Sequence, residues 1–150
     1  MRHDPGCEHE RLRALVGRWK IEGWTSEAPP VTASWIEALD TYEWLPGGHA
    51  LLHRVDAHVG DQRVEGAEII GYDPTRRTYI TQYFGSDGPG AYEASLGNEY
   101  GALVWTMRNE TERFIGMFSD DGNTIVGHRE LLDDDSGWRP RMDVTLTKET

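Results

Sequence analysis

His53 and Glu68 stand at equal distances from a Gly60-Asp61 pair, and that spacing is what first suggests chemistry in this chain. A two-residue turn at Gly60-Asp61 sets Val59 opposite Gln62 and so fixes the register of the hairpin around it. Leu51 then faces Ile70, His53 faces Glu68, Val55 faces Gly66 and Ala57 faces Val64. That face is apolar except for the one pair. The opposite face carries Arg54, Asp56, His58, Arg63 and Glu65, a pattern made for water. An imidazole beside a carboxylate on a dry face has three readings: a general base with its orienting partner, a polar anchor for a ligand, or a wall pair that satisfies itself.

The next turn, around Pro74 and Thr75, pairs Glu68 with residue 81 or with residue 83. Either width puts Tyr79, Thr81 and Tyr83 on the face of Glu68. Leu103, Trp105 and Met107 alternate with Val104, Thr106 and Arg108, which sets Trp105 inside with Phe114 and Phe118. Beyond Asp120-Asp121-Gly122 a slip of one residue exchanges the faces, so either His128 and Glu130 or Arg129 point inward. The candidate ligand-binding set is therefore His53, Glu68, Tyr83, Trp105 and His128.

Other constellations are weaker. His49 and His53 lie about 13 Å apart on an extended strand at ~3.3 Å per residue, too far to share a metal. His3, Cys7 and His9 have ligand chemistry but sit at a terminus without a fourth partner. Asp120-Asp121-Gly122-Asn123 lacks the later Glu of a calcium loop, and Asp133-Asp134-Asp135 reads as a solvated loop. No metal site is expected. There is no Gly-x-Ser-x-Gly elbow, and Cys7 precedes the strands, so nucleophilic catalysis finds little support.

These side chains must be positioned by strands. Breakers at Pro46-Gly47-Gly48, Gly60-Asp61, Asp73 to Arg76, Ser86 to Pro89, Gly97-Asn98, Asn109-Glu110, Asp120 to Gly122 and Asp133 to Gly137 separate ten runs. The runs span about residues 17–25, 33–45, 50–59, 63–72, 77–85, 90–96, 100–108, 112–119, 123–132 and 138–148. Short connections make neighbours antiparallel, and closure removes the two edges of so long a sheet. The expected fold is all-β: one ten-stranded antiparallel up-and-down β-barrel over residues 1–150, with a short N-terminal helix near Cys7–Val16. Leu12, Leu15 and Val16 give that helix its apolar face, with Asp4 and Pro5 at its cap.

Composition agrees with a single domain. A chain of 150 residues buries about 68–70% of its unfolded surface without needing a metal or disulfide. Acidic residues outnumber basic ones 26 to 15, a net charge of −11, which argues against nucleic acid as a partner. No apolar run reaches a membrane span and no secretory signal is evident, so a cytoplasmic location and no membrane partner are expected. Thirteen arginines against two lysines fit a high-GC bacterial source.

Two sets of residues carry a resemblance. Gly17-Arg18-Trp19 after a short helix resembles the Gly-x-Trp that opens the first strand of lipocalin-like (calycin) barrels. In those barrels the Trp closes one end against a basic residue of the last strand, here Lys148 or Arg141. Glu10 to Trp19, Trp44 to Leu52, Glu65-Gly66 and Gly71 to Pro74 resemble an uncharacterised bacterial family, domain of unknown function 1579, over nearly the whole chain. A more distant likeness, to nitrobindin, implies haem b and nitric oxide binding through a His after a Pro in the last strand. Pro140-Arg141 occupies that place here, and Arg cannot coordinate iron; a shift of one residue offers Met142 instead, and His53 or His128 are the other side chains that could hold haem.

The first expectation is a barrel that binds a small, mostly apolar molecule inside, with no obligatory cofactor. The alternatives are nitrobindin-like haem chemistry and a small-molecule enzyme using His53 and Glu68 as acid and base. Outward apolar residues could pair two barrels as a homodimer.

Overall fold

The computed structural model describes residues 6–28, 30–135 and 137–150; His3 and the cap at Asp4-Pro5 lie outside them. Ten strands follow one helical segment: β1 (Gly17–Thr25), β2 (Trp35–Trp44), β3 (Ala50–Val59), β4 (Gln62–Asp73), β5 (Thr78–Gly85), β6 (Gly88–Glu99), β7 (Ala102–Arg108), β8 (Glu112–Phe118), β9 (Thr124–Asp133) and β10 (Gly137–Lys148). Each pairs antiparallel with the next, and β1 also pairs with β10, closing an up-and-down barrel. Among the described residues, no helix is long and apolar enough to cross a membrane.

The tight turn at Gly60-Asp61 imposes the expected register, with His53 opposite Glu68 and Leu51 opposite Ile70. Gly60 holds a left-handed φ of 59°, which glycine adopts at little cost. Of the two widths open for the next hairpin, the wider one forms, and Glu68 faces Tyr83. The helical segment is tighter than its apolar spacing predicts. Only Cys7–Arg11 is α-helical (α1), and Leu12–Leu15 winds as a 3-10 turn. Leu12 and Leu15 of that turn are both buried at the barrel end.

That end is sealed by specific contacts. Trp19 is fully buried; its indole N–H donates to the Leu15 carbonyl at 2.8 Å and its ring meets Phe118 edge-on. The Lys148 ammonium sits 5.0 Å from the ring centre of Trp19, so Lys148 and not Arg141 is the basic partner. Tyr79 donates its hydroxyl to the Glu8 carbonyl at 2.6 Å, and Arg11 bonds the Leu96 carbonyl, tying the helix to β5 and β6. Burial and the charge of nearby Glu8 raise the Tyr79 phenol to about 12, against an opposing pull from Arg11, so it donates at every physiological pH. Trp24 and Trp35 instead pack edge to face on the outside of β1 and β2.

Where β1 crosses close to β10, Gly23 is required by space. A Cβ there would lie 2.0 Å from the Asp143 carbonyl oxygen and 2.8 Å from the Val144 Cα, both main-chain atoms that cannot swing away. Gly23→Ala is expected to lower stability by about 2 kcal/mol, as overpacking does, measured by urea unfolding. A loss under about half that would mean the two strands can part without penalty.

Candidate functional site

Inward-facing positions of the strands enclose a cavity of about 500 Å³, within the range of small-molecule sites. A depression of about 680 Å³ near Ile80, Gln82 and Arg108 lies on the outer face, so the space inside the barrel, lined by buried polar groups, is the candidate site. Trp105, Phe114, Tyr92 and Val55 supply apolar wall, and most of the polar groups gather into two clusters.

The first cluster is centred on His53. Its Nδ1 lies 2.9 Å from Glu68 Oε1, and its Nε2 lies 2.7 Å from Asp40 Oδ2. All three residues are buried. A neutral imidazole has one N–H and donates to one carboxylate only, whereas an imidazolium donates to both. Burial alone would push the His53 pKa down; the hydrogen bonds and charges of Asp40 and Glu68 overcome that and raise it to about 9. Tyr42 stacks flat on the imidazolium at 4.0 Å between ring centres, offering it a π-face. Burial, then the negative charges of Asp40 and Glu68, hold the Tyr42 phenol well above its ordinary range, so it stays neutral.

The second cluster is the half-buried pair Arg129 and Glu112. Arg129 donates to Glu112 Oε2 at 2.9 Å beneath the rings of Phe114 and Tyr92, and Tyr92 donates to the other Glu112 oxygen. Phe114 reaches this position because its ring lies over Gly127, where a Cβ would come within 2.5 Å of it.

Of the residues singled out in the sequence, His53, Glu68, Tyr83 and Trp105 all line the cavity. Tyr83 packs against Gly66 and Gly85 and gives its hydroxyl to Asp87 at the rim, at 2.7 Å. His128 is a correction: it lies on the outer face, paired with Asp143, and Arg129 takes the inward position. The cause is the register of β8 with β9, which sets Arg129 opposite Phe114. Asp40 was missed altogether. The alternation Ile36, Ala38, Asp40, Tyr42 on β2 carried the signal, an acid in line with apolar residues, but the longer turn at Pro46-Gly47-Gly48 left the register of β2 with β3 open.

Haem held by Arg141 or by a histidine does not fit these residues, while Met142, beyond the bulge, lines the cavity. Arg141 is the extra residue of a bulge between Pro140 and Met142, exposed at the cavity rim, and its carbonyl accepts from Ser26 N–H. A guanidinium does not bind iron, and His128 faces outward. His53, the one imidazole lining the cavity among the described residues, has both nitrogens held by carboxylates.

Ten antiparallel strands closed around a lined interior, with a helical segment sealing one end, make this a lipocalin-like β-barrel. The chain belongs to the family described as "Protein of unknown function (DUF1579)", whose model matches residues 4–93. No curated protein matches it. Among solved structures it is similar to Rv2717c from M. tuberculosis, with a TM-score of 0.69 and 9% identity over 98% of this chain and 100% of that one. It is also similar to the S-type phycobiliprotein lyase CPES from Guillardia theta, with a TM-score of 0.61 and 8% identity over 95% and 93% of the two chains. At such identities the likeness is one of fold.

Proposed function

We propose that the protein binds one small, mostly apolar molecule inside the barrel, with the polar end of that molecule at the His53 cluster. The observation that carries this reading is a cavity of about 500 Å³ inside the barrel, open at its rim, whose apolar wall is interrupted by three buried charged groups. A solid core has no use for such charges, which are costly to bury. A polar anchor in an apolar pocket is what orientation of a ligand needs. The same geometry speaks against proton abstraction, because an imidazolium with both N–H groups already donated has no lone pair to offer a substrate.

The test uses N-phenyl-1-naphthylamine, a neutral apolar dye whose emission rises when it leaves water. The expected result is saturable uptake at one dye per chain, weakened at least tenfold in Val55→Trp, which fills the space from β3. Failure of the wild-type protein to take up the dye would overturn the reading.

A further inference from the structure

The charges lining the cavity do not balance. Asp40, Glu68, Asp87 and Glu112 face His53, Arg129 and Arg141 across it, which leaves one negative charge in excess. Arg129 is matched to Glu112, and Arg141 and Asp87 are both exposed at the rim, so the excess resides in the buried trio of Asp40, His53 and Glu68. Within that trio one atom is unmet: Asp40 Oδ1 is buried, and no described group donates a hydrogen bond to it. A buried carboxylate oxygen in that state loses its hydration without replacement and so favours an incoming donor.

Resting on the reading of the cavity as a small-molecule site, we propose that the ligand is an apolar amine, with its ammonium group drawn to the Asp40 carboxylate, whose buried Oδ1 turns toward the cavity to meet it, and its hydrocarbon body against Trp105 and Phe114. Three features of the site select that chemistry. The unmet atom accepts and cannot donate, which excludes a ligand carboxylate at this position. The excess negative charge favours a cationic donor over a neutral hydroxyl, since a charge-assisted hydrogen bond is roughly twice as strong as a neutral one. Trp105 lines the same space with an aromatic ring whose face is not already taken by a cation, and such a face attracts cations and repels anions.

The experiment displaces bound N-phenyl-1-naphthylamine with octylamine, octan-1-ol or octanoate, three ligands of equal chain length with different heads, at pH 7. Octylamine is expected to compete about tenfold better than octanol, and octanoate to be the weakest. The preference is a ratio read within each protein, so a general change of affinity cancels. In Asp40→Asn, which keeps the shape and removes the charge, the ratio of amine to alcohol should fall to near one. Glu68→Gln removes the same charge from the facing strand and provides a second reading should Asp40→Asn fail to fold. Octanol or octanoate competing as well as octylamine, or an unchanged ratio in the folded variants, would overturn the amine assignment while leaving the cavity as a binding site. Absence of dye uptake by the wild-type protein would overturn both.

Discussion

Replacing His53 with leucine is expected to lower the stability of the barrel by about 3–5 kcal/mol near pH 6.5, the loss typical of removing one member of a buried ion pair. The physical reason is what remains. Asp40 and Glu68 would face each other across an apolar side chain, both buried and both robbed of their donor. Adding Asp40→Asn and Glu68→Gln to His53→Leu should therefore recover part of the loss, although two more hydrogen-bonding side chains have been altered. Urea unfolding of the single and triple variants measures both effects. A single variant within about 1 kcal/mol of wild type would show that no buried ion pair holds the trio together.

The same residue makes the protein sensitive to base. His53 has a pKa of about 9 in the folded barrel against an ordinary 6.5. A value raised on folding means that the folded state holds its proton more tightly. Its contribution is thus complete below pH 6.5 and disappears as pH climbs through 9. The difference corresponds to roughly 3 kcal/mol. Wild type should lose about that much stability between pH 6.5 and pH 10, and His53→Leu should lose much less. Equal slopes for the two proteins would assign the pH dependence to other groups.

Trp19→Ala should have an effect of similar size for a different reason. Trp19 is fully buried at the sealed end, so its removal leaves a cavity and strands the Leu15 carbonyl. Large-to-small changes of this kind cost about 3–5 kcal/mol. Loss of the indole also releases the 3-10 turn, and α1 should become open to proteolysis while the strands stay resistant. Trp19→Phe, which keeps most of the ring contacts and loses the N–H, should cost about 1–2 kcal/mol. If alanine and phenylalanine cost the same, the hydrogen bond, and not the packing, holds that end.

Most of the architecture could be read from residue order. Side chains alternate along a strand, so apolar and polar faces declare themselves within each run, and a two-residue turn then sets register without further information. That reasoning placed His53 opposite Glu68, and Trp105 and Tyr83 on the inner wall, from local spacing alone. It failed where the connection was longer. Across Asp120 to Asn123 the parity of β9 was undetermined, and Arg129 faces the interior where His128 was one of two candidates.

What the sequence by itself determined about this protein is the number of strands, their order, and which face of β3 and β4 is dry. Tertiary structure alone decided the rest of the site. Asp40 reaches His53 because β2 lies beside β3 in a register that no tight turn specifies, and Glu112 reaches Arg129 across β8 and β9. Arg141 stands at the rim because a bulge next to Pro140, which has no N–H for the ladder, shifts β10 by one residue. Local alternation encodes faces, but which side chains of neighbouring strands meet depends on register, and where the connecting turn is long that register is set by the packing of the whole barrel and not by the turn.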